Sequence, residues 1–488
     1  MVSGTKNYRQ AWNLLILLLL TALAMLVSGY HPGAEDDGVY LPAIKRDLNP
    51  ALYPHDSDFF TVQLQATVFD KLVAYSVRAS HLPLGVVVLA WQFLSVFLVL
   101  WGCRRVSERC FREEPARWAA VATVAVLLTL PVAGSALYLV DQYLHPRALA
   151  TAAALWAVVA ILDGKRILAA FALLVAFLMH PLMASFAISY CIFLAWGGRP
   201  SGEALAALAM PLGWVFEPVS EAWQRAAQTR HYYYLSRWQW YEWLGVFAPM
   251  LLLWWFRRMA LRNGSKTLAR MSSRLVLYGC FQLAVAIIVF VIPGLDRLRP
   301  FQPMRYLHLL YLLFLLFAGG LIGQHVLRNR AWRWALFFLP LGAVMFFAQR
   351  ETFPATRHFE WPGAPSGNAW VQAFDWARQN TPVDSQFALD PDYMRRPGED
   401  FHSFRAFAER SMLADNVKDP SVATQVPRLA NIWLKQVTAE AGWRHFQLAD
   451  FERLKEQFGV NWVVLERPEI PGLDCPYENK TVAVCRIE

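Results

Sequence analysis

The sequence predicts an α-helical polytopic membrane protein of about eleven spans, ending in an extracytoplasmic α/β domain. Three observations carry this expectation. Hydrophobic residues make up 56% of the chain and charged residues only 17%, whereas soluble domains carry about a quarter charged residues. The apolar residues gather in long runs, and Lys and Arg cluster in short loops beside them, the pattern that marks cytoplasmic loops. From residue 349 onward the composition turns polar and mixed. The net charge of +9 raises nucleic acid as a partner. Membrane orientation already accounts for the basic clusters, so no nucleic acid is expected.

The first run, residues 11–30, follows Lys6 and Arg9 and is long enough to span. Residue 31 therefore emerges outside. Spans at 84–102 and 118–139 flank an inner loop rich in arginine, from Arg104 to Arg117. Shorter runs follow at 148–162, 167–179 and 182–196, with Lys165 and Arg166 inside and His180-Pro181 outside. Residues 204–216 form a short run interrupted by Pro211, and clearer spans follow at 243–256, 275–292, 306–326 and 334–347. Retaining the run at 204–216 keeps Arg257, Arg258, Arg262, Lys266 and Arg270 on the inner side. The N-terminus is then inside and the C-terminus outside.

Two domains are expected: a transmembrane domain at 1–348, with a first outer loop at 31–83, and an α/β domain at 349–488. In the latter, 368–378 reads as an amphipathic helix, with further helices at 428–440 and 450–458. Strands are expected at 386–389, 461–465 and 481–487. Of the six cysteines, Cys475 and Cys485 lie close together in this exported region. They are the natural disulfide pair.

The spans carry almost no central Asp, Glu, Lys or Arg, unlike ion-coupled transporters. There is no Walker loop and no HExxH. Polar groups gather instead in the outer loops. Glu35, Asp36 and Asp37 stand in a row shortly after the first span. Three such acids in an arbitrary loop are usually just solvated. Adjacent carboxylates also raise one another's pKa, which suits a general base. A second group is Arg297 and Arg305, with His308 on the same helical face as Arg305. Outer arginines run against the positive-inside bias, and two explanations stay open. Their guanidinium forks match phosphate oxygens, and they also suit snorkelling to anionic headgroups. His145 and Arg147 lie in another short outer loop.

The acidic loop HPGAEDDGVYLPAIKRDLNPALYPHDSDFF and the later stretch FRAFAERSMLADNVKD resemble bacterial membrane proteins of the GT-C superfamily of glycosyltransferases. The resemblance implies a GT-C-like helical core, a polyprenyl-phosphate-linked sugar as donor, and a glycan, lipid or protein acceptor. It places the chain in the bacterial inner membrane. It implies an inverting transfer in which Asp36 is the base, with Glu35 or Asp37 as its partner. Family members differ in metal dependence, so the resemblance leaves room for Mg or Mn on Asp36 and Asp37. Arg297 and Arg305, supported by His308, His145 and Arg147, are assigned to the phosphate by their chemistry and position. The competing readings are a lipid-linked glycan flippase and a non-catalytic GT-C-like scaffold.

Overall fold

The computed structural model describes residues 2–195 and 218–487. The expected run at 204–216 lies outside the described residues. Contacts divide the chain into two compact units. One comprises Met1–Gly29, Ala90–Pro218 and His231–Gln349; the other comprises Tyr30–Leu89, Val219–Arg230 and Arg350–Glu488.

Among the described residues, six helices are long and apolar enough to cross a membrane. They are Gln10–Ser28, Leu84–Cys110, Trp240–Arg262, Lys266–Val291, Asp296–Leu327 and Ala331–Thr352. Their exposed side chains include Leu19, Leu251, Leu336 and Leu339, an apolar surface of the kind lipid covers. Three shorter apolar helices, Pro146–Leu162, Arg166–Met179 and Pro181–Ala195, have 17, 14 and 15 residues. At 1.5 Å per residue they reach only about 21–26 Å, short of a hydrocarbon core of about 30 Å. Pro146–Leu162 is buried along nearly its whole length and is a core helix of the first unit.

The expected span at 118–139 needs correction. Its helix, Glu114–Val126, has 13 residues. A small antiparallel ladder follows, pairing β1 (Pro131–Val132) with β2 (Leu137–Tyr138). Pro131 has no N–H to donate and disfavours helical backbone at Leu130, so an apolar run that reads as continuous turns back. The short helix packs against Leu307–Ile322, where the contact requires glycine. A Cβ on Gly319 would lie 2.3 Å from Thr123 Oγ1.

In the second unit a five-stranded sheet runs β4 (Ser411–Met412), β3 (Gln386–Ala388), β5 (Trp462–Glu466), β7 (Val482–Arg486), β6 (Asp474–Glu478). The β3–β4 and β3–β5 pairs are parallel, and the β5–β7 and β6–β7 pairs antiparallel. Side chains alternate between faces. Val464, Val482 and Val484 meet Trp370, Phe374 and Phe404 on one side. Val463, Leu465 and Ala483 meet Phe451 and Leu454 on the other. Helix Ala369–Asn380 starts at Asn368, whose side chain accepts from the backbone N–H groups of Trp370 and Val371. Cys475 and Cys485 are disulfide-bonded and join β6 to β7. Closing so short a loop contributes roughly 2–3 kcal/mol by the chain-entropy relation.

Candidate functional site

The acidic loop folds against residues 350–488 within the second unit. Tyr30 bridges to Phe359 and Ala34 to His402. The Glu35 N–H donates to Phe401 O at 2.8 Å, and the Ser403 N–H donates to Gly33 O at 2.9 Å. Gly33 takes φ +80, and a Cβ there would lie 2.5 Å from the Phe407 ring. Glycine meets both demands at once. Below the turn, helix Asp37–Leu48 is anchored by Lys45, whose ammonium donates to Ala406 O and Glu409 Oε1 at 2.7 and 2.6 Å. Further along, Tyr53 Oη donates to Arg405 O at 2.8 Å, and Gln436 Nε2 donates to Asp56 Oδ2 at 2.8 Å.

The three acids part company in this setting. Asp37 is 2% exposed, and its Oδ2 accepts from the Gly33 N–H at 2.7 Å. Burial pushes its carboxyl up to about 7, against the opposing pull of that N–H and of Lys45. Glu35 and Asp36 turn instead to one cation. Lys418 Nζ donates to Glu35 Oε2 and, at 3.0 Å, to Asp36 Oδ1. Asp36 remains 41% exposed, whereas Lys418 is 12% exposed. Burial works against the Lys418 charge, but Asp36 and Glu35 more than offset it and raise its pKa.

Lys418 was not singled out from the sequence. Its one signal was its place in the stretch from Phe404 to Asp419, which the resemblance had marked. The turn that carries it is rigid. Asp415 Oδ1 accepts from the backbone N–H groups of Val417, Lys418 and Asp419. Asp419 is held by both guanidinium arms of Arg405, at 2.7 and 2.8 Å. Beside the loop, His31 Nδ1 and His402 Nε2 share Glu360 Oε1 at 2.8 and 3.2 Å. Burial alone would raise the Glu360 pKa, but the two histidines bring it down to about 2.

The buried state of Asp37 yields a pH prediction. Its carboxyl titrates near 3.8 when unfolded and near 7 when folded. The folded state therefore holds the proton more tightly, and this group's contribution to stability falls as pH rises from about 4 to about 7. Asp37→Asn keeps an oxygen for the Gly33 N–H and should remove that part of the dependence. Thermal unfolding of both proteins in detergent at about pH 5 and pH 8 checks it: the parent should lose more stability between the two than the variant.

The cationic candidates belong to the first unit. Arg147 Nη2 donates to Asp141 Oδ2 at 3.0 Å, with both side chains buried. His145 caps the helix Pro146–Leu162, its Nδ1 accepting from the Arg147 N–H at 3.0 Å. The His145 and His180 rings stack with centroids 5.9 Å apart. Arg305 and His308 line a small cleft with Thr151, Met183 and Phe186. His308 Nε2 also pairs with Leu139 O at 2.9 Å. Arg297 donates to Pro218 O at 3.2 Å. The structure thus places Arg305 and His308 in one cleft with residues of helices Pro146–Leu162 and Pro181–Ala195, next to which His145 and His180 stack.

The resemblance left Asp36 and Asp37 open to a divalent cation. One carboxylate is buried on the Gly33 N–H and the other faces Lys418. Among the described residues, no three His, Cys, Asp or Glu side chains come together as a metal-holding group.

No family model matches the chain, and no curated protein matches it. Among solved structures, the chain is similar to the apo crystal structure of the Archaeoglobus fulgidus oligosaccharyltransferase. The TM-score is 0.50 at 12% identity, covering 95% of this chain and 70% of that one. At that identity the likeness is one of fold.

Proposed function

We propose that this chain is a membrane glycosyltransferase of the GT-C type. It transfers a sugar from a polyprenyl-phosphate-linked donor to an acceptor on the extracytoplasmic side of the bacterial inner membrane. One observation carries the reading. The Glu35 and Asp36 carboxylates, shortly after the first apolar helix, are held on a fixed cation while Asp36 stays 41% exposed. The fold likeness to an oligosaccharyltransferase supports it.

In this reading Asp36 takes the proton from the acceptor as its nucleophilic atom attacks the anomeric carbon. The bond from that carbon to the phosphate oxygen breaks, its electron pair leaves with the lipid phosphate, and direct displacement inverts the carbon. Glu35 shares the Lys418 cation with Asp36, and Asp37 holds the turn through Gly33. Arg297 and Arg305, with His308, His145 and Arg147, are the candidates for binding the donor's phosphate. In this reading the Lys418 ammonium neutralises the acid pair.

The test is turnover of a polyprenyl-phosphate-linked sugar by the purified chain in nanodiscs. Release of free polyprenyl phosphate together with a glycosylated acceptor supports the reading. In liposomes, movement of an uncleaved donor between leaflets points instead to a flippase, and neither activity points to a scaffold. Arg305→Ala should weaken donor binding by about 1.5–3 kcal/mol, the worth of a hydrogen bond to a charged group. Equilibrium binding of the donor to parent and variant measures this. Equal affinities would remove Arg305 from the phosphate site.

A further inference from the structure

We propose that Lys418 stands in this chain where a divalent cation would otherwise serve the acid pair: its ammonium neutralises Glu35 and Asp36 together, fixes their spacing, and keeps a metal ion from between them. The inference deepens the reading above at the same carboxylates.

The geometry is that of one cation bridging two carboxylates. Nζ reaches Glu35 Oε2 and Asp36 Oδ1 at once. The cation is tethered rather than diffusible, because its backbone sits in a turn fixed by Asp415 and by the Arg405–Asp419 pair. The carboxylates are equally fixed. Glu35 sits at φ 51, held through its N–H to Phe401 O, and Asp36 begins helix Asp37–Leu48.

A hard divalent cation wants about six oxygen ligands, and several of them are usually carboxylates or waters. Here the third acid that the sequence offers is withdrawn. Asp37 is buried on Gly33. An incoming metal would therefore meet two carboxylates and would have to expel an ammonium that cannot leave. The charge balance also differs. A divalent ion would leave the pair neutral, whereas the ammonium leaves one net negative charge. Such a site repels phosphate and favours a neutral hydroxyl or amide, or an amine, as its ligand. The acid pair is thereby assigned to the acceptor rather than to the donor phosphate.

The experiment is Mn²⁺ titration by electron paramagnetic resonance on the full chain in nanodiscs of zwitterionic lipid. The parent should leave the free-ion signal undiminished, and Lys418→Arg, which keeps a tethered cation, should do the same. Lys418→Ala should bind Mn²⁺ with an affinity raised at least about tenfold over the parent, and adding Glu35→Gln should abolish that gain. The metal chelator EDTA should leave parent sugar transfer unchanged, while Mn²⁺ should restore part of the transfer lost in Lys418→Ala. Mn²⁺ binding by the parent that disappears in Glu35→Gln would overturn the proposal. So would a Lys418→Ala chain that melts as the parent does yet gains no Mn²⁺ site. If Lys418→Ala fails to fold, Lys418→Met replaces it, and the parent titration decides on its own. The resonance arm reads the ammonium–carboxylate geometry with no sugar transferred, so a chain that is not a transferase fails only the transfer arm.

Discussion

Asp36→Asn should lower sugar transfer by on the order of 10²- to 10⁴-fold, the usual loss when a general base is removed, while leaving donor binding intact. The substitution keeps the shape of the side chain and an oxygen facing Lys418, but it cannot take the acceptor proton. Asp36 is the member of the trio to replace because it is 41% exposed, against 35% for Glu35 and 2% for Asp37. Asp37 is buried on the Gly33 N–H, and Glu35 is held through both its backbone and Lys418. Glu35→Gln leaves Asp36 in place and should cost less. Transfer rate and donor affinity, measured separately in nanodiscs, read the two effects. A variant that transfers sugar at the parent rate would take the chemistry away from the acidic loop and favour the flippase or scaffold reading.

The largest effect on stability is expected at Arg405 and Asp419. Arg405 is 4% exposed and Asp419 fully buried, and two hydrogen bonds of 2.7 and 2.8 Å join them. Burial pushes the Asp419 carboxyl up to about 6 even with the guanidinium opposing it. Removing either partner strands the other in the interior, at a cost of about 3–5 kcal/mol. Arg405→Ala and Asp419→Ala should therefore each lower the thermal midpoint of the detergent-solubilised protein well beyond surface variants such as Arg453→Ala. Replacing both, as Arg405→Met with Asp419→Leu, should recover much of the loss, because no unpaired charge remains. Asp419 is the neighbour of Lys418, so the single variants should also loosen the acid pair. Equal stability of single and double variants would show that the pair is not the source of the loss.

The sequence by itself determined the features that depend on neighbours along the chain. Apolar runs mark helices because hydropathy is a local sum, and the expected runs at 84–102 and 275–292 correspond to helices Leu84–Cys110 and Lys266–Val291. Asn368 announces the helix Ala369–Asn380 by its capping side chain, and the proximity of Cys475 to Cys485 was enough to pair them. Strand β6 escaped notice because it lies at the sheet edge, carries Pro476, and has no fully buried residue. The run at 118–139 misled because hydropathy does not register that Pro131 stops a helix.

What tertiary structure alone decided are the contacts between residues far apart in sequence. Lys418 meets Asp36 across 382 residues, and no periodicity or spacing encodes such a meeting. The same holds for the cleft in which Arg305 and His308 meet Thr151 and Met183, from helices far apart in sequence. It holds too for the different fates of three consecutive acids. Glu35, Asp36 and Asp37 are nearly equivalent as letters. A left-handed turn at Gly33 and Glu35 directs one carboxylate inward to a backbone N–H and two outward to a shared ammonium, and only the folded backbone sets those directions.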